Sequence, residues 1–260
     1  MAPQDIKLTG FELLELLGQG GMGVVWKARQ LSLDRLVAIK LLPPHIGHNA
    51  DSIKQIMTEA RTAAKLKHSG IVQVYDASEE HGHYFFVMEF VNGYNVGKWL
   101  ARSKVLPWKE VLVVAELVAL ALDYAWETSG MIHCDIKPEN IMVDQDGTIK
   151  VADLGLSRTR ESRDSSEETE ITGTPSYMSP EQVRGDLSLD CRTDIYSPGP
   201  LLLPVHPADR VFFLFDLSGH SLRPWIPAHP SGCCPPADRG QPLVDKALHA
   251  FHGGYPGAFI

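Results

Sequence analysis

The spacing of apolar residues along the first hundred positions predicts a small β-sheet with one helix. Stretches rich in Val, Ile, Leu and Trp begin at Phe11, Gly23 and Arg35, which indicates three sequential strands in an antiparallel meander. Between residues 51 and 67 the apolar side chains recur at helical spacing, with the charges mostly on the other side. Two more strand-like segments follow, IVQVYDA and HYFFVMEFV. This pattern predicts an α+β arrangement of about five strands and one helix.

After these strands the apolar spacing predicts two helices, then a hairpin and a polar segment. A short helix is predicted near residues 96–102 and a long one over residues 108–127. The strand-like stretches IMVDQ and TIKVAD flank a turn at residues 146–147, Asp-Gly, which is favourable hairpin chemistry. Residues 157–172 contain a single apolar side chain, near their end, so we expect them to form a mobile surface segment.

The composition changes abruptly after Ser197. Residues 198–260 hold 11 of the chain's 18 prolines, no glutamate and a single lysine, Lys246. Each proline inside a helix costs about 3 kcal/mol or more, so we expect no long helix there and a poorly ordered tail. Our hypothesis for the break is a change of reading frame near codon 197, in the gene or in its reconstruction. Translating the same DNA in its other two frames tests this hypothesis.

Charge and composition narrow the function classes. The net charge of −8 gives no electrostatic reason to expect nucleic acid or an anionic membrane as partner. Four cysteines form neither a paired framework nor two CxxC knuckles. The longest apolar stretch, residues 111–125, is interrupted by Glu116 and Asp123 and fits a buried helix better than a membrane span. With no signal-peptide pattern at the start, we expect a cytoplasmic protein.

The stretch GQGGMG, from Gly18 to Gly23, matches the G-x-G-x-x-G pattern. Glycine permits a close backbone approach to phosphate, but the pattern alone is a weak signal. A dinucleotide-dependent oxidoreductase would continue with a helix, whereas GVVWKARQ is predicted to be a strand. The glycines therefore fit a flap over phosphates between two antiparallel strands. A glycine-rich hairpin without a ligand is the alternative.

Two further groups of polar residues have the composition of a phosphate and metal site. Lys40 ends the stretch VAIK, and a lysine ammonium suits phosphate oxygens. Glu59 lies within an otherwise apolar helix face and could pair with Lys40, although each residue alone also fits a solvated side chain. The stretch HCDIKPEN brings Asp135, Lys137 and Asn140 within six positions on a loop that its proline keeps from being helical.

Together these motifs resemble the eukaryotic-type protein kinases. The glycine loop, VAIK, Glu59, HCDIKPEN, DLG at 153–155 and SPE at 179–181 occur in the order and rough spacing of that family. The sequences GQGGMGVVWKA and GTPSYMSPEQ are similar to the corresponding stretches of the bacterial serine/threonine kinases. The resemblance covers the chain from about Phe11 to Ser197.

The resemblance implies a bilobed protein-kinase-like fold. An N-terminal extension, residues 1–10, would precede the kinase domain, residues 11–197. The N-lobe would span about residues 11–91 and be a small antiparallel sheet with one helix. An incomplete, mainly helical C-lobe would span about residues 92–197, before the aberrant proline-rich tail, residues 198–260.

The same resemblance implies ATP and Mg²⁺ as cofactors and gives roles to individual residues. Asp135 would accept or orient the proton of the substrate hydroxyl, and Lys137 would neutralise the transferring phosphate. Lys40 would contact the α and β phosphates, with Glu59 fixing it. The magnesium ligands would be Asn140 and Asp153.

The nucleotide pocket implied by the resemblance consists mainly of glycines and apolar side chains. Met88 would be the gatekeeper and Thr174 would line the pocket for the substrate hydroxyl. The nucleotide-contacting positions would be Gly18, Gly20 and Gly23 at the phosphates, Glu89 and Val91 through backbone contacts to adenine, and Val25, Ala38 and Met142 around the adenine ring. For each apolar position the alternative is plain core packing.

The chain also departs from the family pattern. Cys134 stands where the family has an arginine that gathers an activation-segment phosphate, so we expect weak dependence on phosphorylation of that segment. Leu154 replaces the usual phenylalanine, a tolerated apolar swap. Asp194 would brace the catalytic loop, but prolines follow inside the helix that it should open, and Glu181 lacks an identifiable arginine partner.

The sequence therefore predicts a serine/threonine protein kinase that phosphorylates hydroxyl groups of a protein substrate. The alternative is a non-catalytic ATP-binding or interaction protein, a degenerate kinase fragment whose tail prevents turnover.

Overall fold

A computed structural model describes most of the first 197 residues. The described ranges are 6–21, 23–44, 50–103, 107–154, 173–186 and 189–197, with two short segments, 212–214 and 223–225. The expected mobile segment, residues 157–172, and most of the proline-rich tail lie outside the described residues.

The N-terminal part is a five-stranded antiparallel sheet with one helix, as predicted. Its strand order is β1-β2-β3-β5-β4. The elements are β1 (Phe11–Gly20), β2 (Gly23–Gln30), β3 (Arg35–Leu41), α1 (Ala50–Ala63), β4 (Val74–Glu80) and β5 (His83–Glu89). The glycine loop joins β1 to β2 with antiparallel pairing between Gly20 and Gly23, so its predicted position between two strands is confirmed.

Strand β3 is buried on both faces, and this places the site. Val37 and Ile39 are fully buried in a cluster with Trp26 on one face. Ala38 belongs to a second cluster on the other face, together with Met88. Because side chains alternate along a strand, Lys40 emerges on the same face as Ala38.

The start of β4 differs from the prediction. The apolar run from Ile71 predicts a strand from that residue, but β4 begins at Val74. Ile71 instead forms a parallel bridge with Val151, and the Val72 N–H donates to the Val151 carbonyl at 2.9 Å. The predicted boundary was wrong because this segment pairs with a strand from the following lobe.

The second part of the chain is built on one long helix and a small sheet. Its elements are β6 (Gly93–Asn95), α2 (Val96–Ser103), α3 (Trp108–Ser129), β7 (Ile141–Asp144), β8 (Ile149–Val151), α4 (Pro180–Arg184) and α5 (Cys191–Tyr196). Strands β6, β7 and β8 form an antiparallel sheet in that order, and the predicted β7–β8 hairpin is confirmed.

Helix α3 packs against this sheet through one apolar stripe. Its buried side chains recur every three or four positions, as one helix face requires: Val111, Val114, Val118, Ala121 and Ala125. The helix ends at Gly130, whose left-handed φ of 61° closes the last turn. No described helix is long and apolar enough to cross a lipid bilayer.

Within the tail, two short strands are described. Strands β9 (Phe212–Leu214) and β10 (Arg223–Trp225) pair in an antiparallel fashion. Helix α5 reaches Tyr196, followed by Ser197, which is buried. The continuation of the long helix that the family pattern would open at this point falls in residues 198–211, which lie outside the described part of the chain.

Candidate active site

Two of the predicted phosphate and metal residues are in direct contact. Lys40 Nζ lies 2.9 Å from Asp153 Oδ2, with side-chain exposures of 4% and 27%. Strand β3 supplies the lysine and the segment after β8 supplies the aspartate, so the contact joins the two parts of the fold. Asp153 adopts a left-handed φ of 65°, an uncommon conformation for a residue other than glycine.

The pKa of Asp153 reflects this contact. Burial acts to raise the pKa of the carboxyl group, but the nearby ammonium of Lys40 acts in the opposite direction and outweighs it. Lys137 acts in the same direction as Lys40. The pKa of Asp153 therefore lies below its ordinary value, and the group is an anion at neutral pH.

Glu59 lies on α1 and is 4% exposed, which excludes the solvated helix glutamate considered above. Its carboxylate accepts a hydrogen bond from Gln55 Nε2 at 3.1 Å. A carboxylate so well buried requires polar partners. The ion pair between Glu59 and Lys40 stays a prediction.

The catalytic-loop residues form one connected network. Lys137 Nζ donates to Asp135 Oδ2 at 2.6 Å and to Thr174 Oγ1 at 2.8 Å. Thr174 Oγ1 donates in turn to Asp135 Oδ1 at 2.8 Å. A hydroxyl group thus lies against the carboxylate that the sequence assigned to orient a substrate hydroxyl. The sequence analysis assigned Thr174 to the pocket for the substrate hydroxyl, and the structure adds its direct contact with Asp135.

Asn140 closes the same loop through its amide nitrogen. Asn140 Nδ2 donates to the Asp135 carbonyl at 2.8 Å and lies 3.2 Å from Asp135 Oδ2. The residue ends a short 3-10 turn, Pro138–Asn140, in which the proline occupies the first position. Because the amide nitrogen makes these bonds, the amide oxygen is the atom left to coordinate a cation.

Asp194 braces the loop from α5, as predicted. Its carboxylate accepts hydrogen bonds from the backbone N–H groups of His133 at 2.7 Å and Cys134 at 2.8 Å. Burial raises the pKa of Asp194, although these two N–H groups partly offset that effect.

His133 is a positioning residue that the sequence analysis did not single out. Its Nδ1 accepts a hydrogen bond from the Asp135 backbone N–H at 3.2 Å, so its Nε2 is the atom that donates to the Ala152 carbonyl at 2.7 Å. The imidazole therefore connects the residue before Asp153 with the backbone of Asp135. Its position as the first residue of the HCDIKPEN motif is the sequence feature that could have indicated this role.

The glycine loop has one position that cannot carry a side chain. Gly23 has a φ of 118°, and a Cβ there would collide with the backbone of Leu41. Gly18 and Gly20 lie in β1, where an added Cβ would meet nothing within 4 Å. Steric fit therefore explains why position 23 is a glycine, but it does not explain the glycines at positions 18 and 20.

The apolar residues assigned to the adenine pocket do come together. Ala38, Met88 and Val91 are buried in one cluster, and Val25 and Met142 pack against it partly exposed. This arrangement is consistent with a lined cleft between β2, β3, β5 and β7. Contact of these residues with adenine stays a prediction.

Glu89 makes its contacts at the end of β5 beside that cluster. Its carboxylate pairs with Lys150 Nζ at 3.0 Å, and its backbone N–H donates to the Gln73 carbonyl at 2.8 Å. The Val91 carbonyl accepts from the Gly93 N–H at 3.1 Å. The side chain of Glu89 thus stabilises the connection between the lobes, which the sequence did not predict.

Cys134 stands at the position where the family has an arginine. Its side chain makes apolar contacts instead. The residue is 4% exposed, and its side chain packs with Ile132, Leu189 and Trp126. Its backbone has a left-handed φ of 66°. A side chain buried in this cluster does not offer a positive charge to a phosphate. Glu181, which was predicted to lack an arginine partner, accepts a hydrogen bond from Thr193 Oγ1 at 3.1 Å.

Comparison with known proteins places the chain in a family. The protein kinase domain family model matches residues 11–214. The chain therefore belongs to the protein kinase family, and the predicted bilobed α+β fold is confirmed. The match continues past Ser197, the predicted end of the domain.

The relatives are bacterial serine/threonine kinases. The chain is 36% identical over 192 residues to PrkC of Bacillus subtilis, covering 74% of this chain and 29% of that relative. It is 38% identical over 209 residues to PknB of Mycobacterium tuberculosis, covering 78% and 33%. The chain thus spans about a third of the length of these curated relatives. Among solved structures, the PknI kinase domain of Mycobacterium tuberculosis matches with a TM-score of 0.61 and 28% identity, over 76% of this chain and 74% of that one.

Proposed function

We propose that this chain is a serine/threonine protein kinase, which transfers the γ-phosphate of ATP to a hydroxyl group of a protein substrate. The observation that carries the proposal is the contact between the Asp135 carboxylate and the Thr174 hydroxyl, with the Lys137 ammonium bonded to both. It provides an acceptor for a hydroxyl proton beside a fixed positive charge, the two groups that phosphoryl transfer to an alcohol requires.

Asp135 orients the attacking hydroxyl in this mechanism. A substrate serine or threonine has the same donor as Thr174, so the Asp135 carboxylate can accept its hydrogen bond in the same way. As the substrate oxygen bonds to the γ-phosphorus, its proton passes to Asp135 and the bond from that phosphorus to the ADP oxygen breaks. Lys137, already held beside Asp135, stabilises the negative charge on the transferring group.

The oxygen donors of Asp153 and Asn140 fit magnesium. Asp153 offers carboxylate oxygens and Asn140 its amide oxygen, and Mg²⁺ is typically bound by one or two carboxylates together with substrate phosphates. A magnesium ion bound there would neutralise phosphate charge.

Nucleotide binding would separate Lys40 from Asp153. The two side chains neutralise each other at 2.9 Å. Phosphate oxygens would provide a new partner for the ammonium, and a cation would provide one for the carboxylate. The pair thus keeps both groups charged and close to where a triphosphate needs them.

Phosphotransfer is tested directly with the purified chain, residues 1–260. We expect transfer of radiolabelled γ-phosphate from ATP to a generic basic protein in the presence of Mg²⁺. Asp135→Asn should reduce the rate about a hundredfold or more, because the variant cannot accept the proton. Asp123→Asn, an exposed change on α3, is the matched control and should retain the rate.

The altered composition after Ser197 favours the second candidate, a non-catalytic ATP-binding protein. The two are separated by titrating the chain with Mg·ATP. Binding of nucleotide without any phosphate transfer above that of Asp135→Asn would establish the second candidate and exclude the first.

A further inference from the structure

The peptide group between Cys134 and Asp135 is held at both of its polar atoms. Its carbonyl oxygen, that of Cys134, accepts a hydrogen bond from Gln182 Nε2 at 2.7 Å. Its N–H, that of Asp135, donates to His133 Nδ1 at 3.2 Å. The neighbouring N–H of Cys134 is held by Asp194. Because this peptide group leads directly into Asp135, its orientation decides where the Asp135 carboxylate points.

Gln182 connects this peptide group to helix α4. The residue is 4% exposed, and its Oε1 accepts from the Ser179 backbone N–H at 3.1 Å. Its own backbone N–H donates to Ser179 Oγ at 3.3 Å, which completes a capping box. The Ser179 N–H can only donate and the Cys134 carbonyl can only accept. These two partners therefore fix the Gln182 side chain with its oxygen toward Ser179 and its nitrogen toward Cys134. One side chain therefore fixes the start of α4 and the catalytic loop together.

Gly173 leaves room for the hydrogen bond between Gln182 and the Cys134 carbonyl. Gly173 has a φ of 132°, and a Cβ at that position would lie 2.9 Å from the Cys134 carbonyl oxygen and 3.4 Å from Gln182 Nε2. Any side chain at position 173 would push against the hydrogen-bonded pair. The end of the activation segment, the catalytic loop and α4 thus meet at the Cys134 carbonyl.

We propose that Gln182 is a positioning residue for Asp135. The Gln182 amide N–H holds the Cys134 carbonyl, and through that peptide group it fixes the direction of the catalytic carboxylate. Through this hydrogen bond Gln182 affects the rate of phosphoryl transfer, although it is not among the residues assigned to the nucleotide. The consequence for the rate rests on the function proposed above, whereas the positioning of the loop does not.

The variant Gln182→Glu tests the contact with little change in shape. At about pH 8 a carboxylate can still accept from the Ser179 N–H, but its second oxygen faces the Cys134 carbonyl without a proton to donate. We expect kcat to fall about tenfold or more, because small misplacements of catalytic groups have large effects on rate. The KM for ATP should stay within about twofold, since Gln182 is not among the residues assigned to the nucleotide.

The pH dependence separates positioning from general damage. Burial favours the protonated form of a carboxyl group, and the carboxyl group introduced by Gln182→Glu could, once protonated, donate its O–H to the Cys134 carbonyl. The ratio of variant to wild-type kcat should therefore rise as the pH is lowered from about 8 to about 6. Gln182→Met, which cannot donate at any pH, should show a deficit that does not recover.

Ser179→Ala is the matched control. It removes the hydroxyl from the capping box but leaves the bond between Gln182 and the Cys134 carbonyl in place. We expect a lower Tm with kcat within about twofold of wild type, as loss of a helix cap costs about 1 kcal/mol. A Gln182→Glu kcat within twofold of wild type at the higher pH, a deficit equal to that of Ser179→Ala, or a deficit unchanged with pH would overturn the proposal.

Hydrogen exchange gives a readout that needs no turnover. We expect peptides covering residues 131–137 to exchange faster in Gln182→Glu than in wild type or Ser179→Ala, while peptides from α3 keep their protection. Unchanged exchange in residues 131–137 would overturn the positioning role. A wild-type chain without phosphotransfer would instead contradict the proposed function, and the exchange result would still decide the contact.

Discussion

The contact between Lys40 and Asp153 predicts a strong energetic coupling in the nucleotide-free protein. The perturbation is a double-mutant cycle with Lys40→Met, Asp153→Asn and the double variant, measured as free energies of unfolding. The two charges lie 2.9 Å apart, and the side chains are 4% and 27% exposed. Each single variant leaves one partner charged and poorly solvated, whereas the double variant removes both charges.

The magnitude follows from the geometry. At 2.9 Å the gross attraction is about 6 kcal/mol for an effective dielectric constant of about 20, and desolvation offsets part of it. We therefore expect each single variant to lose about 3 kcal/mol and the coupling energy to be about 2 kcal/mol. Because the pKa of Asp153 is lowered in the folded state, the coupling is fully present above the unfolded pKa of about 4. It is lost as the pH falls further, through the folded-state pKa.

Urea unfolding of the four proteins near neutral pH measures the coupling, and the chain provides its own control. Arg184 and Asp186 lie 3.1 Å apart but are 63% and 42% exposed. A cycle with Arg184→Met and Asp186→Asn should give a coupling of about 0.5 kcal/mol or less. A Lys40–Asp153 coupling no larger than this control would contradict the expected effect of burial and distance on the ion pair.

Three further predictions concern turnover and folding. Thr174→Val removes the hydroxyl that donates to Asp135, and steady-state kinetics should show kcat reduced about tenfold with the ATP KM within about twofold. Gly23→Ala places a methyl group against the backbone of Leu41 at a φ of 118°, so thermal unfolding should show a lower Tm and nucleotide titration weaker binding. Thr172, at the end of the polar segment 157–172, is a predicted phosphate acceptor. Alanine and phosphomimetic changes at Thr172 should differ less than tenfold in rate, because the buried Cys134 side chain carries no charge for a phosphate; a larger difference would contradict this expectation.

Local patterns predicted the elements whose stability depends on one periodic face. Most apolar residues of α3 recur at helical spacing, and those on its stripe are buried, whereas Leu120 is 48% exposed. The Asp-Gly pair at 146–147 lies between β7 and β8, as hairpin chemistry requires, and Gly147 has a φ of 83°. In both cases the deciding interactions lie within a few residues, so the sequence contains the information.

Predictions failed or were missing where a partner lies far along the chain. The run beginning at Ile71 looks like one strand, yet its first residues pair with Val151. Gln182 and His133 were not singled out, because their hydrogen bonds depend on how α4 and the catalytic loop pack together. No periodic pattern records such contacts.

The linear sequence was enough to predict the family, most of the strands and helices in their order, and candidate residues for phosphate chemistry. Motif spacing and side-chain periodicity are properties of the linear chain, so they are readable without a structure. Three contacts are seen only in the tertiary structure. Lys40 pairs with Asp153, the Thr174 hydroxyl donates to the Asp135 carboxylate, and Gln182 holds the peptide group between Cys134 and Asp135. These contacts depend on the relative placement of separate elements, where differences of about one ångström change the chemistry.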